Sequence, residues 1–206
     1  VLAWCEAHGR RLVGILNTHT HPDHIGINRA LARAGHLDDL RVFAPAHARQ
    51  AVPGATDPVD EGDAVDLDGL PVRVMRTDGH QTGHVVYLLD GVLFCGDTLF
   101  AGGCGYLFDG PPSAMFDSLL RLASLPGETR VCCAHEYTED NLRFAWTVEP
   151  GNQALAERIR RVWALRAEGR CSVPSTLEEE RATNPFLRPG SPTLRERVAA
   201  LAPDAP

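Results

Sequence analysis

Hydrophobic residues in the first two thirds of the chain come in short runs, separated by segments rich in glycine, proline, aspartate and histidine. Runs of this kind between turn-forming residues predict β-strands. The strands that we predict lie at 12–16, 41–44, 70–76, 85–89, 92–95 and 130–134. Asp90-Gly91 predicts a hairpin turn. A short helix is predicted at 26–34, and a second is expected to run to residue 123 with Ser113 as its N-cap.

The pattern changes after residue 136, where the spacing of apolar residues becomes helical. It predicts helices at 138–148, 153–168 and 193–201, and Ser175-Thr176-Leu177-Glu178 reads as a capping box that opens a further helix. Residues 203–206 are expected to fray. We therefore predict an α+β fold with two domains: a mixed body at 1–136 and a small helical domain at 137–206.

Composition limits the classes of partner. The chain has 206 residues, 44% of them hydrophobic, and a net charge of −7. The acidic balance argues against nucleic-acid or membrane binding, because both surfaces attract positive proteins. The longest apolar runs are too short to span a bilayer. All 20 basic residues are arginine, so anionic ligands must be held by guanidinium groups, backbone N–H groups or metal.

Six cysteines are scattered without a C-x-x-C pair. This spacing favours reduced thiols and a cytoplasmic protein over a disulfide framework or a zinc ribbon. The chain starts at Val1, and residues 2–9 look like the tail of a helix. We therefore expect that the N-terminal part of the natural protein precedes this sequence.

The strongest chemical signal directly follows the first predicted strand. Four potential metal ligands, His19, His21, Asp23 and His24, fall within six residues. On an extended segment His19 and His21 point the same way and can share one ion. Asp23 and His24 follow the turn at Pro22 and can face a second. Imidazole and carboxylate together suit zinc, iron or manganese.

Further ligands for two ions are expected at other strand ends. His80, Asp97 and His135 each follow a predicted strand, with His84 as a competitor for His80. Asp97 could bridge both ions, and the expected nucleophile is a metal-bound hydroxide. We therefore predict Asp23 and Asp97 as catalytic residues in a two-metal hydrolase. No G-x-S-x-G motif is present, and none of the cysteines needs to act as a nucleophile.

The segment His19-Thr20-His21-Pro22-Asp23-His24 resembles the H-x-H-x-D-H signature of the metallo-β-lactamase superfamily. Within it, the chain is similar to glyoxalase II, the hydroxyacylglutathione hydrolases, over nearly its whole length. The more specific pieces are Gly96-Asp97-Thr98-Leu99-Phe100, Ala134-His135-Glu136-Tyr137-Thr138, Asn141-Leu142-Arg143-Phe144-Ala145, Val148-Glu149-Pro150-Gly151-Asn152, Val173-Pro174-Ser175-Thr176 and Asn184-Pro185-Phe186-Leu187-Arg188.

The resemblance implies an αββα sandwich followed by a helical domain that helps to bind glutathione. It implies one metal ion, most simply zinc, on His19, His21 and His80. It implies a second on Asp23, His24 and His135, with Asp97 bridging. The implied reaction hydrolyses S-(2-hydroxyacyl)glutathione, chiefly S-D-lactoylglutathione, to glutathione and D-lactate, the second step of methylglyoxal detoxification. We expect a monomer that binds only this small substrate.

The resemblance also implies substrate contacts, at Tyr106, Leu107, Phe108, Tyr137 and Arg188. Tyr106 stands where a basic residue is common in the family. Two alternatives remain open at this point. One is another reaction of the superfamily, such as β-lactam hydrolysis, persulfide oxidation or nuclease chemistry. The other is a catalytically silent fragment that binds metal or glutathione.

Overall fold

The structure, a computed structural model, describes residues 1–201. They form two compact units, one of residues 1–76 and 82–90, the other of residues 77–81 and 91 onward. Both units mix helices and strands. No helix among the described residues is long and apolar enough to cross a membrane. The fraying predicted for 203–206 lies outside the described residues.

The first unit contains two short helices and six strands, arranged as two sets of three strands. The set β1-β2-β3 is parallel, and β4-β5-β6 is antiparallel. The elements are α1 (Leu2–Ala7), β1 (Gly14–Leu16), α2 (Gly26–Arg33), β2 (Arg41–Pro45), a 3₁₀ helix (Ala46–Ala51), β3 (Asp57–Val59), β4 (Ala64–Leu67), β5 (Leu70–Arg76) and β6 (Val85–Leu89).

Alternation of apolar residues explains how β5 and β6 pack. Val72 and Val74 are fully buried, whereas Arg73 between them is exposed. Val74 lies opposite Tyr87 in the antiparallel register, and both join one apolar cluster. Successive side chains on a strand point to opposite faces, so these apolar residues share one face, and the buried Met75 lies on the other. This packing fixes the ends of the strands from which the candidate ligands emerge.

Within the described part of the second unit lie the remaining five strands and five α-helices. Strand β10 pairs with β7 in parallel and with β11 in antiparallel orientation, and β8 and β9 form a small hairpin. The elements are β7 (Val92–Gly96), β8 (Leu99–Phe100), β9 (Gly103–Cys104), α3 (Pro112–Ala123), β10 (Arg130–Cys133), α4 (Thr138–Val148), α5 (Gln153–Ala167), β11 (Ser175–Thr176), α6 (Leu177–Thr183), a 3₁₀ helix (Pro185–Leu187) and α7 (Pro192–Leu201).

Two helix starts differ from the prediction. Pro111 is the N-cap of α3 and no side chain caps it, so Ser113 lies inside the helix. Proline with its fixed φ suits the first turn, where the missing N–H costs nothing. Helix α6 is capped by Thr176, whose hydroxyl accepts from the N–H of Glu179, so the N-cap lies one residue later than predicted. Ser175 instead donates to Glu180 at 2.6 Å.

Helices α4 and α5 bury the apolar faces that the helical spacing predicted. They share a core of Leu142, Ala145, Leu155, Ile159 and Val162. Asn152 caps α5 by accepting from the N–H of Leu155. A buried side-chain oxygen on an otherwise unsatisfied N–H stabilises a helix by about 1 kcal/mol. The predicted bounds of both helices are confirmed to within one residue.

Candidate metal centre

In the first unit, the residues after β1 bring imidazole groups together. His19 Nε2 and His21 Nδ1 are 3.1 Å apart, and His19 is almost fully buried. Two ligand atoms bound to one tetrahedral ion at about 2.0–2.1 Å are about 3.4 Å apart. The pair therefore fits a shared ion. The Thr18 hydroxyl lies 3.0 Å from His19 Nδ1, and accepting from that nitrogen would leave Nε2 as the ligand atom.

The next two predicted ligands also approach each other. His24 Nε2 lies 3.3 Å from Asp23 Oδ2. A turn places them there, because the His24 N–H donates to the His21 carbonyl at 3.0 Å. The competitor His84 is fully buried and stacks on His19 with ring centroids 4.8 Å apart. Stacking against the back of a ligand ring fits a supporting role for His84.

In the second unit, Asp97 lies between two imidazoles. Its Oδ2 is 3.5 Å from His80 Nε2, and its Oδ1 is 3.6 Å from His135 Nε2. Each carboxylate oxygen thus faces a different imidazole nitrogen, at the separation expected for two ligands of one ion. This is the donor arrangement that a carboxylate bridging two ions needs. Imidazole and carboxylate oxygen are the donor types that zinc, iron and manganese accept.

A backbone carbonyl holds the ring of His80. His80 Nδ1 lies 2.8 Å from the carbonyl oxygen of Tyr106, and the N–H of Phe108 donates to the His80 carbonyl at 3.2 Å. The first bond places the proton on Nδ1 and makes Nε2 the candidate ligand atom. The predicted substrate loop therefore also orients a predicted metal ligand.

The absence of a side chain at Gly105 lets the loop approach Asp97 and His80 closely. A Cβ at this position would lie 1.8 Å from the Asp97 carbonyl oxygen and 3.0 Å from His80 Nδ1. Only glycine can bring the loop so near to both residues.

Exposed aromatic side chains lie beside these ligands in the second unit. Tyr106 is 74% exposed and Phe108 62%, and their rings are 5.0 Å apart. Phe108 meets the His80 ring edge-on at 5.2 Å, and Tyr137 stacks on His135 at 4.9 Å. Large exposed aromatic groups of this kind are typical of binding surfaces.

Comparison with known proteins decides the family. Residues 5–135 match the family model described as metallo-beta-lactamase superfamily, and residues 136–205 match the one described as hydroxyacylglutathione hydrolase C-terminus. The hydroxyacylglutathione hydrolase of Methylococcus capsulatus is 50% identical over 96% of this chain and 77% of its own length. That of Gloeobacter violaceus is 50% identical over 95% and 78%. The chain belongs to the hydroxyacylglutathione hydrolase family.

Solved structures agree with the metallo-beta-lactamase fold of this family. A structure described as TTHA1623 in a di-iron-bound form is 30% identical, covers 90% of this chain and 83% of that one, and superposes with a TM-score of 0.59. ETHE1 from Myxococcus xanthus covers all of this chain and 75% of that one, at 24% identity and a TM-score of 0.66. The predicted fold, with its C-terminal helical domain, is confirmed.

Arg188, which the family resemblance implies as a substrate contact, is bonded to Glu149 in this structure. Its Nη2 and Nε donate to the nearly buried carboxylate of Glu149 at 2.7 and 3.1 Å, and its Nη1 donates to the Arg181 carbonyl at 3.3 Å. Burial raises the pKa of Glu149, but hydrogen bonds from Arg188, Asn152 and Ser191 outweigh it and leave the pKa below its ordinary value. A contact between Arg188 and glutathione stays a prediction.

Burial keeps the cysteines beside the site protonated. It raises the pKa of the Cys104 thiol to about 12 and that of Cys133 to about 11. It also raises the pKa of the fully buried Cys95. A thiol must ionise to act as a nucleophile. These three groups are therefore poor nucleophiles near neutral pH.

Sequence reasoning missed several hydrogen-bonded polar groups of the second unit. The Tyr106 carbonyl is part of the backbone, so no residue pattern could reveal it. Glu136, next to His135, accepts from the N–H and hydroxyl of Ser172 and from the hydroxyl of Thr138. Glu180 is fully buried on α6. The only signal for Glu180 in the sequence is a carboxylate on the apolar face of a short helix, which by itself assigns no role.

Proposed function

We propose that this chain hydrolyses S-(2-hydroxyacyl)glutathione thioesters, chiefly S-D-lactoylglutathione, to glutathione and a 2-hydroxy acid. The observation that carries the proposal is the 50% identity to curated hydroxyacylglutathione hydrolases over nearly the whole chain. The match to the C-terminal model separates this family from others of the superfamily that share only the metallo-beta-lactamase portion. This reaction is the second step of methylglyoxal detoxification.

We propose that two divalent metal ions support this reaction, one on His19, His21 and His80, and one on Asp23, His24 and His135, with Asp97 shared. Within each unit, the paired ligand atoms lie 3.1–3.6 Å apart, as the donors of one ion should. Zinc is the proposed metal. Iron and manganese accept the same donors, and the related TTHA1623 structure is described as di-iron-bound.

When bound, such ions lower the pKa of water and stabilise negative charge on an acyl oxygen. The chain's own residues supply the positioning. Asp97 presents one oxygen to the side of His80 and the other to the side of His135, which fixes the spacing across the site. The Tyr106 carbonyl holds the proton on His80 Nδ1. Asp23 contributes the second proposed catalytic carboxylate.

Substrate contacts are proposed for the exposed loop residues Tyr106, Leu107 and Phe108 and for Tyr137. The rings of Phe108 and Tyr137 lie against His80 and His135, so a thioester resting on them would be held beside the ligands. Arg188 is proposed as a further contact for a glutathione carboxylate. Glu149 uses the Nε and Nη2 of Arg188, and Nη1 donates to the Arg181 carbonyl, so only the remaining N–H groups could face substrate.

Three further proposals concern the whole protein. We propose a division at residue 136 into a catalytic domain (1–136) and a substrate-binding helical domain (137–206), since the two matched family models meet there. We also propose a cytoplasmic monomer. Its partner is the glutathione thioester, with no nucleic acid or membrane involved.

The test is turnover of S-D-lactoylglutathione, measured with metal content on the same sample. We expect hydrolysis with about two ions per chain. Asp97→Ala should lose most turnover and retain fewer than two ions, because the shared ligand is gone. Asp117→Ala, which removes an exposed carboxylate on α3, is the matched control and should behave like the unaltered chain. Two retained ions in Asp97→Ala would contradict the shared role, and no turnover by the metal-loaded unaltered chain would overturn the function.

A further inference from the structure

A fully buried carboxylate lies in the C-terminal helical segment of the second unit. Glu180 on α6 has no exposed surface. One of its oxygens accepts from Arg158 Nη2 at 2.5 Å and from the Ser175 hydroxyl at 2.6 Å. The other accepts from the Gly102 N–H at 2.8 Å and from the Asn184 side-chain amide at 3.1 Å. Burying a carboxylate is costly unless its lone pairs are satisfied, as they are here.

Two of these four donors are connected to the hairpin of β8 and β9. One lies in the turn of the hairpin, and the other also donates to carbonyl groups of the hairpin. Gly102 lies in the turn of that hairpin. The fully buried Asn184 also directs its amide nitrogen to the carbonyls of Phe100, at 3.2 Å, and Gly103, at 2.9 Å. Glu180 and Asn184 therefore satisfy polar backbone groups on both sides of the turn. Because these partners are buried, water cannot replace the lost bonds.

The same hairpin connects two parts of the proposed metal centre. It begins directly after Asp97 and Thr98, and it ends at the Cys104–Phe108 loop. The N–H of Gly105 donates to the Thr98 carbonyl at 3.2 Å, which joins the two ends. The next residue, Tyr106, provides the carbonyl that accepts from His80. The position of the hairpin thus determines where the Asp97 backbone lies and where the Tyr106 carbonyl that orients the His80 ring lies.

We propose that Glu180 is a positioning residue of the metal centre, which it holds from the C-terminal segment through the Gly102 N–H and the Asn184 amide. The inference rests on the proposed function, since it concerns the metal ions of that reaction. It predicts that loosening the hairpin displaces Asp97 and His80 and so weakens metal binding. Glu180 itself contacts neither of these residues. Loss of residues that orient metal ligands typically lowers metal affinity 10- to 100-fold.

The identity of the side chain matters because all four partners of Glu180 are donors. An ionised carboxylate only accepts hydrogen bonds, whereas the amide of glutamine has one accepting oxygen and one donating NH₂ group. In Glu180→Gln the NH₂ group must face two donors, and Arg158 loses its fully buried counter-charge. The variant keeps the shape of the side chain and changes its charge and its hydrogen-bonding pattern.

The experiment separates positioning from general stability. Glu180→Gln and Asn184→Ala both change the contacts with the hairpin, so a result is available even if one variant folds poorly. Ser175→Ala removes a bond to the same carboxylate on the side away from the hairpin. Val162→Ala weakens the nearby helical core without touching the carboxylate. Each protein is loaded with zinc, and the release of the metal to a chelator is followed alongside kcat and KM.

We expect Glu180→Gln and Asn184→Ala to release zinc at least about tenfold faster than the unaltered chain, with a lower kcat and a smaller change in KM. Ser175→Ala and Val162→Ala should keep normal release even where their melting temperature falls. Normal release in the two hairpin variants, or equally fast release in all four, would overturn the inference and leave the proposed function intact. An unaltered chain that binds no zinc, iron or manganese and shows no turnover would overturn both.

Discussion

Replacing Gly105 by alanine tests how closely the loop must approach the metal ligands. The new Cβ would lie 1.8 Å from the Asp97 carbonyl oxygen, whereas real Cβ contacts are essentially never below 3.0 Å. The loop or Asp97 must therefore move by about 1.2 Å, the difference between those distances. A displacement of about 1 Å can cost about 100-fold in rate, or about 2.7 kcal/mol of transition-state stabilisation. The same movement pulls the Tyr106 carbonyl away from His80.

The assay compares kcat/KM for S-D-lactoylglutathione and bound metal in Gly105→Ala and in Gly151→Ala. Gly151 lies between α4 and α5 in the same unit, and a Cβ there meets nothing within 4 Å. We expect a loss of about 100-fold in kcat/KM, with reduced metal content, for Gly105→Ala. Gly151→Ala should change neither by more than about twofold, because surface substitutions are usually within ±0.5 kcal/mol. Equal kcat/KM and metal content in the two variants would refute the close-approach argument.

Two predictions concern stability. Glu149→Gln should be less stable than the unaltered chain at neutral pH, since the lowered pKa of Glu149 stabilises the fold above its ordinary pKa. That advantage should shrink as the pH falls through the folded pKa, so melting curves that stay equally far apart in acid would contradict it. Leu142→Ala, in the α4–α5 core, should lower the free energy of unfolding by about 2–5 kcal/mol, as measured by denaturant titration. A loss of less than about 1 kcal/mol would contradict close packing in that core.

Strands and candidate ligands could be predicted from the sequence because both leave local patterns. Apolar runs between turn-forming residues gave β5 and β6 with their observed bounds. The candidate ligands His80, Asp97 and His135 could be proposed because each follows such a strand, and side chains that follow strands can meet at the edge of a sheet. The cluster of three imidazoles and a carboxylate at residues 19–24 is itself specific enough to suggest metal. These features depend on neighbours within a few residues, and sequence patterns describe that range well.

Helix starts and long-range polar bonds could not be predicted in the same way. Ser113 and Ser175 are both good N-cap residues by type, yet the chain uses Pro111 and Thr176. Neighbouring positions offer nearly equal caps, so packing decides between them. The bond from Gly102 to Glu180 spans 78 residues of sequence. Neither partner has a local pattern that shows its burial, so only the folded chain reveals the contact.

The bond that orients His80 does not depend on the side chain of residue 106. Its acceptor is the carbonyl of residue 106, which every amino acid provides, while the Tyr106 side chain is 74% exposed. The family resemblance implies that a basic residue is common here, and tyrosine replaces it without altering the bond to His80. Gly105 is different, because its missing side chain is what lets the loop reach Asp97. We therefore expect substitutions of residue 106 to leave the bond to His80 intact, whereas residue 105 must be glycine for the loop to approach Asp97 so closely.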